Sequence, residues 1–303
     1  MVNLSVKIGK LKLKNPVLVA SGTFGCGEEF RDLIDISKLG AIVTKTVTLN
    51  PRLGNPMPRT IEVPCGLLNS IGLENLGIDD FIKQKIPFLA KAKTAVIVSI
   101  GAESSRGFEA LTSILDAQDA VDAIELNISC PNIREKSRFI AQNQNATYRI
   151  VKAARKVTKK TLITKLSPNV TDIAKIAMAA EDAGSDAISL INTVYGMSVD
   201  IKRRKPHLAS IFGGLSGPAI KPFTLYMIYR IAQKIKTPII GMGGIMTTQD
   251  ALEFIITGAT AVAVGTANFI NPKASIEIIN GIKEYLLRNK IKAVGSLIGA
   301  LRT

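Results

Sequence analysis

Residues 257–262 read Thr-Gly-Ala-Thr-Ala-Val, so a helix-ending glycine is followed, after a short spacer, by a run of apolar residues. The same pattern recurs at residues 39–44 and 183–188. Glycine is common at the position that closes a helix, and a continuous apolar run is typical of a strand covered on both faces. The three stretches therefore predict helix–strand units of a parallel sheet.

Apolar runs of this kind can be counted along the whole chain, and there are eight of them. They lie at residues 17–20, 41–44, 95–99, 123–127, 162–165, 187–191, 238–241 and 261–264. Helical patterns separate several runs, for instance residues 172–183, and residues 249–256 with Thr248 as the expected N-cap. Eight strands joined by helical crossovers predict an α/β fold of the (β/α)8 TIM barrel type, with the active site at the C-terminal ends of the strands.

Segments outside the strands complete this prediction. Residues 1–14 alternate apolar residues with Lys, which predicts a short N-terminal β-hairpin that turns at Gly9-Lys10. Residues 46–94 and 194–237 are longer than a simple strand–helix connection requires, so we expect insertions that form the pocket walls at the C-terminal face. A length of 303 residues fits one barrel domain over residues 1–303.

Composition narrows the function classes. The net charge is +15, yet Lys and Arg are spread along the chain without interleaved aromatic residues, so no nucleic-acid partner is expected. The longest uncharged stretch, residues 254–272, is interrupted by glycines and threonines, and the N-terminus has no signal-peptide pattern, so no membrane association is expected. The 3 cysteines give neither a disulfide framework nor enough thiolates for an iron–sulfur cluster, which favours a reducing cytoplasm and no metal site.

The residues at the expected strand ends are nearly all polar or glycine. Gly243-Gly244 and Gly265-Thr266 follow the seventh and eighth strands, where barrels commonly bind phosphate through backbone N–H groups. A polar, anionic ligand is therefore expected in the barrel mouth. The other residues at these ends are Ser21, Gly22, Lys45, Ser99, Asn127, Lys165, Asn192 and Thr193.

A cysteine lies among polar residues directly after the fourth expected strand. Residues 127–132 read Asn-Ile-Ser-Cys-Pro-Asn, and Pro131 breaks the strand, so Cys130 is expected in a loop near the ligand pocket. A thiol has an ordinary pKa of about 8.5, so modest help from neighbouring donors makes it a general base at neutral pH. A buried structural cysteine is the alternative interpretation, and the polar neighbours argue against it.

Motifs over nearly the whole chain resemble those of the class 1 dihydroorotate dehydrogenases, FMN-dependent barrels of pyrimidine biosynthesis. Residues 191–193 and 214–218 resemble subclass 1B better than subclass 1A. Class 2 members are less similar, because they use Ser as the base and usually carry an N-terminal membrane-associated extension. The motifs that carry the resemblance are Ser21-Gly22-Thr23-Phe24-Gly25, Thr44-Lys45-Thr46, Asn69-Ser70-Ile71-Gly72-Leu73, the Cys130 loop, and residues 165–172, 191–193, 213–217, 240–245 and 264–268.

The resemblance implies oxidation of dihydroorotate to orotate in the biosynthesis of UMP. It implies that Cys130 removes the C5 proton while C6 delivers hydride to N5 of FMN, and that Lys165 stabilises the reduced anionic flavin. The implied substrate-binding residues are Lys45, Asn69, Ser70, Ile71, Gly72, Leu73, Asn127, Asn192 and Thr193. The implied FMN-binding residues are Ser21, Lys45, Thr46, Ser99, Asn127, Lys165, Ile191, Gly217, Gly243, Gly244, Gly265 and Thr266.

Two positions depart from the family pattern. Ser99 stands where relatives usually have Asn at the end of the third strand, and it is a shorter donor for the flavin. Residues 133–138 read Ile-Arg-Glu-Lys-Ser-Arg, where the family generally has a Gly-containing lid. A stiffer, more charged lid is expected to alter turnover or access of the electron acceptor.

The route of the electrons is the last expectation. No G-x-G-x-x-G follows a strand, so no Rossmann site for a nicotinamide is readable. The resemblance to subclass 1B implies a homodimeric core flanked by two partner subunits that carry FAD and a [2Fe–2S] cluster, a heterotetramer that passes electrons to NAD. The alternatives are a class 1A-like enzyme that uses fumarate, another FMN barrel such as a dihydropyrimidine dehydrogenase-like reductase or a tRNA-dihydrouridine synthase, and a non-catalytic anion-binding barrel.

Overall fold

The computed structural model describes residues 2–129, 134–135, 138–139 and 142–302. Its strands, in chain order, are β1 (Val6–Ile8), β2 (Leu11–Leu13), β3 (Val17–Val19), β4 (Ala41–Val43), β5 (Thr60–Val63), β6 (Gly66–Asn69), β7 (Ala95–Ile100), β8 (Ala123–Asn127), β9 (Arg134–Glu135), β10 (Arg138–Phe139), β11 (Thr161–Lys165), β12 (Ala187–Leu190), β13 (Val194–Gly196), β14 (Val199–Asp200), β15 (Lys205–Pro206), β16 (Gly213–Ser216), β17 (Ile239–Gly241) and β18 (Ala261–Val264). The α-helices are α1 (Ile78–Gln84), α2 (Ile86–Leu89), α3 (Ser105–Asp116), α4 (Gln144–Lys156), α5 (Ile173–Asp182), α6 (Lys221–Ala232), α7 (Thr248–Thr257), α8 (Ala267–Ile270) and α9 (Ala274–Arg288).

Eight parallel strands close into a barrel in the order β3, β4, β7, β8, β11, β12, β17 and β18. Each lies within two residues of a predicted apolar run, and the predicted (β/α)8 barrel is confirmed. Helices cover the outside of the barrel, which explains why these strands are apolar on both faces. In helix α5 the apolar face predicted from the sequence is buried, as expected for a helix that packs on the barrel. This face consists of Ile173, Ile176, Ala177 and Ala180.

The N-terminal hairpin is also confirmed, and it lies at the end of the barrel where the strands begin. Strands β1 and β2 pair antiparallel, with Ile8 opposite Leu11. The backbone N–H of Lys10 donates to Thr161 Oγ1 over 3.2 Å, at the start of β11. Gly9 has φ +56, and a Cβ there would lie 2.6 Å from Asp186 Cβ, so glycine is required for the hairpin to approach the barrel.

Two local predictions are corrected by the structure. The N-cap of α7 is Thr247 and not Thr248, because Thr247 and Asp250 form a reciprocal capping box. Gly40 does not close an α-helix, since the element before it is the 3₁₀ turn Ile36–Lys38. A side chain at Gly40 would collide with the carbonyl oxygens of Asn15 and Val17, so this glycine serves close packing of the backbone.

The two predicted insertions meet above the C-terminal ends of the barrel strands. Strands β5 and β6 from the first insertion and β13 and β16 from the region after β12 form one antiparallel sheet in the order β13, β16, β6, β5. We call it the insertion sheet. Asn69 of β6 lies opposite Gly214 of β16, so the register joins the two insertions directly. Within the described residues, no helix combines the length and the apolar character needed to cross a membrane.

Candidate active site

A cavity of about 390 Å³ lies between the C-terminal ends of the barrel strands and the insertion sheet. Its wall contains residues that follow β3, β4, β8, β11, β12, β17 and β18. No Asp or Glu is among the described residues that line it, whereas two lysines are, so the cavity favours an anionic ligand. The predicted site residues in the wall are Ser21, Lys45, Thr46, Asn69, Ser70, Ile71, Gly72, Leu73, Asn127, Lys165, Ile191, Asn192, Thr193, Gly217, Gly243, Gly244, Gly265 and Thr266.

Ser99 is the exception among the described residues of the predicted set, because it lies behind the cavity wall. It is completely buried, and its hydroxyl lies 3.1 Å from Thr46 Oγ1. A serine side chain ends one atom beyond Cβ, so Ser99 contacts Thr46, and Thr46 in turn lines the cavity. Ser99 is therefore separated from the cavity by Thr46, and its predicted contact with a ligand stays a prediction.

Hydroxyl and amide groups form a continuous hydrogen-bonded network along the barrel mouth. Thr46 Oγ1 lies 3.3 Å from Ser21 Oγ and accepts from Asn127 Nδ2 over 3.0 Å. Asn127 Oδ1 accepts from the Ser129 hydroxyl over 2.7 Å, and Ser129 accepts from Asn192 Nδ2 over 2.7 Å. The ends of β3, β4, β8 and β12 are thereby connected through side chains.

Lys165 ends β11 and places a cation in the cavity wall. It is 5% exposed, and in the described part of the chain its ammonium has no hydrogen bond and no carboxylate partner. An unpaired charge that is removed from water costs several kcal/mol unless something compensates it. The position therefore suits a ligand that brings negative charge or electron-rich oxygens to the ammonium.

Gly243 and Gly244 form a cradle after β17. Their φ angles are +126 and +87, and a Cβ at Gly244 would lie 2.8 Å from the backbone nitrogen of Lys221. Within the described residues, the backbone N–H groups of Gly243, Gly244 and Gly265 donate to no acceptor, although all three residues line the cavity. Backbone N–H groups that converge at the ends of the last two barrel strands are suited to a phosphate group.

Asp250 holds the cradle in place from beneath. Its carboxylate accepts from Lys221 Nζ over 2.7 Å and from the backbone N–H groups of Met246 and Thr247 over 2.9 Å each. Burial by itself raises the pKa of Asp250, but the hydrogen bonds from Lys221, Met246 and Thr247 outweigh it and lower that pKa below its ordinary value. Asp250 is consequently ionised at neutral pH and fixes the chain that leaves Gly244.

The insertion sheet supplies the opposite wall. Asn69 Nδ2 donates to the carbonyl oxygen of Gly214 over 3.4 Å, and the buried Ser70 Oγ has no hydrogen-bond partner in the part of the chain that the structure describes. A Cβ at Gly214 would collide with the hydroxyl of Thr193, so the glycine lets the sheet approach the end of β12. The orphaned Ser70 hydroxyl is a group that a polar ligand would satisfy.

Cys130 lies outside the described residues, and so do Pro131, Asn132 and Ile133. The chain lines the cavity immediately before that point, at Asn127 and Ser129.

Of the two cysteines that are described, Cys65 is exposed and Cys26 is buried. Burial raises the pKa of Cys26 to about 12, so its thiol is protonated at neutral pH. Among the described residues no cluster of His, Cys, Asp and Glu is arranged to hold a metal ion.

Comparison with known proteins identifies the family. The profile described as "Dihydroorotate dehydrogenase" matches residues 3–286. The chain belongs to the dihydroorotate dehydrogenase family. The protein of Thermoanaerobacter pseudethanolicus named "Dihydroorotate dehydrogenase B (NAD(+)), catalytic subunit" is 52% identical over 99% of both chains. The proteins of the same name from Trichlorobacter lovleyi and Bacteroides thetaiotaomicron are 52% and 48% identical, over 98% and 99% of both chains respectively.

A solved structure supports the fold assignment. The crystal structure of DHODH in complex with ferulenol from Eimeria tenella has a TM-score of 0.80 to this chain and covers 98% of it, with 88% of that chain covered. The sequence identity is 24%, so this likeness concerns the barrel architecture. The dihydroorotate dehydrogenase family is flavin-dependent. The cavity of this chain offers two lysines and backbone donors that have no acceptor among the described residues, and such groups suit an anionic ligand.

Sequence reasoning gave no role to several residues of this dihydroorotate dehydrogenase cavity. Ser129 lies within the quoted run 127–132, and its link between Asn127 and Asn192 depends on side-chain directions that spacing does not reveal. Asn169 lies in the motif 165–172, where its side chain donates to the carbonyl oxygen of Thr193 over 3.0 Å. Membership of a recognised motif was the available signal for both residues.

Proposed function

We propose that this protein oxidises dihydroorotate to orotate in pyrimidine biosynthesis with FMN as its cofactor, and that a separate subunit passes the electrons to NAD⁺. The observation that carries the proposal is 52% identity, over 99% of both chains, to a catalytic subunit named for the NAD⁺-linked enzyme. The proposal treats residues 1–303 as one FMN-binding barrel domain. The cavity chemistry supports it in three ways: a phosphate cradle, a cation, and amide groups for a ring substrate.

The residues present fit FMN. The backbone N–H groups of Gly243, Gly244 and Gly265 would hold the phosphate, together with Thr266, whose hydroxyl donates to Ser216 over 2.9 Å. Ser21, Thr46, Asn127, Ile191 and Gly217 would line the remainder of the flavin site, since they share the same cavity. When bound, FMN supplies the hydride acceptor.

Lys165 would stabilise negative charge that develops in the cavity during the oxidation. Its ammonium is almost fully withdrawn from water, where a charge acts more strongly than it does in solution. Lys45 follows β4 and lines the same cavity, where it would attract the substrate carboxylate. Lys165 ends one buried barrel strand and Lys45 follows another by two residues, which explains why both line the cavity and do not lie on the outer surface as most lysines do.

Amide and hydroxyl groups would bind the substrate ring. Asn69, Asn127, Asn192 and Thr193 line one cavity from two opposite walls, and a pyrimidinedione offers alternating N–H and C=O groups to such residues. Residues 70–73 complete the wall on the side of the insertion sheet. Cys130 would act as the general base that takes the C5 proton, on the strength of its place in the sequence after Asn127 and Ser129.

A substitution in the phosphate cradle tests the cofactor site. We expect Gly244→Ala to weaken FMN binding by about tenfold or more, because alanine at φ +87 is strained and its Cβ would contact Lys221. FMN affinity is measured by titrating the flavin-free protein and following flavin fluorescence. Gly299→Ala is the matched control, since Gly299 also has a positive φ of +68 but has open space around it and is absent from the cavity wall. Equal losses in both variants would contradict the cradle.

The electron acceptor tests the whole proposal. Purified protein loaded with FMN is expected to reduce an artificial dye with dihydroorotate and to reduce NAD⁺ only after an iron–sulfur flavoprotein partner subunit is added. The relatives' name, which joins "NAD(+)" to "catalytic subunit", motivates this division. Rapid NAD⁺ reduction by the isolated chain would contradict the proposed need for a partner subunit. Efficient fumarate reduction would instead indicate a class 1A-like enzyme. Flavin absorbance changes with orotate, and none with uracil or tRNA, separate this activity from the other flavin barrels.

A further inference from the structure

Ser129 is buried at the centre of the polar network and contacts two amide side chains at once. It is 3% exposed, it donates to Asn127 Oδ1 over 2.7 Å, and it accepts from Asn192 Nδ2 over 2.7 Å. We propose that Ser129 is a positioning residue that sets the hydrogen-bonding direction of Asn127 and Asn192 toward the ligand. The inference rests on the proposed function for the identity of that ligand.

The orientation of the two amide groups follows from the fact that the Ser129 hydroxyl has a single hydrogen to donate. Asn192 Nδ2 can only donate, so Ser129 must accept from it, and the serine hydrogen is then directed to Asn127 Oδ1, which can only accept. If the amide of Asn127 turned over, two N–H groups would point at one hydroxyl whose own hydrogen had no acceptor. A mispaired buried polar group is destabilising, so Ser129 selects one amide orientation of Asn127 over the other.

Neighbouring residues fix the far ends of the same chain of hydrogen bonds. Asn192 Oδ1 accepts from the backbone N–H of Thr193 over 2.8 Å and lies 3.4 Å from its hydroxyl. Asn127 Nδ2 donates to Thr46 Oγ1 over 3.0 Å. All donors in this chain therefore point the same way, from Thr193 through Asn192, Ser129 and Asn127 to Thr46.

The hydrogen-bond donors and acceptors that the network leaves unused are the groups that Asn127 and Asn192 present to the cavity. Asn192 Oδ1 accepts from the backbone N–H of Thr193, and one N–H of Asn192 Nδ2 remains for the cavity, where it suits a carbonyl or carboxylate oxygen. Asn127 keeps one N–H and one lone pair, because each of its polar atoms makes one bond in the network. An adjacent donor and acceptor match the edge of a cyclic amide, such as a pyrimidinedione ring.

The test compares orotate binding by the wild-type protein and Ser129→Ala, both loaded with FMN, by calorimetry and by flavin absorbance. We expect orotate to bind about tenfold more weakly to the variant, because both amides then lose the group that orients them. FMN content is expected to fall less than orotate affinity, because Asn127 is only one of many residues proposed to hold the flavin, and KM for dihydroorotate is expected to rise more than kcat falls. Ser185→Ala is the matched control, since it removes a buried hydroxyl that bonds Thr164 and the carbonyl oxygens of Leu162 and Ala187, and Ser185 is absent from the cavity wall.

A double-mutant cycle with Asn192→Ala separates positioning from a merely structural role. In the Asn192→Ala background, Ser129→Ala is expected to weaken orotate binding by only about threefold, because one of the two amides it orients is already gone. Losses that simply multiply would overturn the inference, and so would an orotate affinity of Ser129→Ala within twofold of wild type. Failure of the wild-type protein itself to bind orotate would overturn the proposed function and this inference together.

Discussion

Replacement of Lys165 by Met is expected to slow dihydroorotate oxidation by about 10²–10³-fold, the usual effect of removing a group that stabilises transition-state charge in a dry site. Methionine has a similar length and no charge, so the change isolates the ammonium. The measurement is the single-turnover rate of flavin reduction by dihydroorotate, followed by the loss of flavin absorbance. FMN content of the purified variant is determined in the same experiment, because a weakened cofactor site is the second expected consequence.

The thermal stability of Lys165→Met shows whether its slower reaction is caused by misfolding. Lys165 is 5% exposed and has no ion pair in the described part of the chain, so its removal from the flavin-free protein is expected to be neutral or stabilising. Thermal unfolding of the flavin-free variant checks that expectation. Lys160→Met is the control, because Lys160 precedes the same strand at its other end and donates to the carbonyl oxygens of Gln118 and Val121. A full rate in Lys165→Met with unchanged flavin content would contradict the role.

The barrel could be predicted because its strands carry a local signal. A strand that is covered on both faces needs a continuous apolar run, and β12 and β18 follow glycines with φ +101 and +135 that end the preceding helices. Gly40 shows the limit of that reasoning. Its position before β4 copies the pattern, but its cause is contact with Asn15 and Val17, which are distant from it along the chain.

Some residues of the candidate site could likewise be predicted from the sequence, whereas others could not. Lys165 and Asn127 could be predicted as cavity residues, because the ends of parallel strands meet at one face of the barrel. Ser99 lies one residue before the end of β7, yet it is absent from the cavity wall and its hydroxyl meets Thr46. The role of Ser129 depends on which lone pair and which hydrogen face each other, and those are properties of the folded side chains.

Loss of the Cys130 thiol tests the proposed base, which lies outside the described residues and is assigned from the sequence. We expect Cys130→Ala to slow dihydroorotate oxidation by about 10²–10⁴-fold, the range for general bases, and to leave FMN content unchanged because the thiol serves the substrate. Cys130→Ser is expected to retain a small activity that rises with pH, since a hydroxyl is a much weaker base than a thiolate at neutral pH. The measurement is the rate of flavin reduction between pH 6 and pH 10, a range of about four units that spans the ordinary thiol pKa.

The other two cysteines provide controls of different kinds. Cys65 is exposed and absent from the cavity wall, so Cys65→Ala is expected to keep the wild-type rate. Cys26 is buried and absent from the cavity wall, and burial raises its pKa to about 12, so it is not expected to replace a missing base. Activity that remains in Cys130→Ala is then not expected to come from Cys26. A Cys130→Ala variant as fast as wild type at pH 7 would remove the thiol from the mechanism, and the base would then have to be sought among other residues of the cavity.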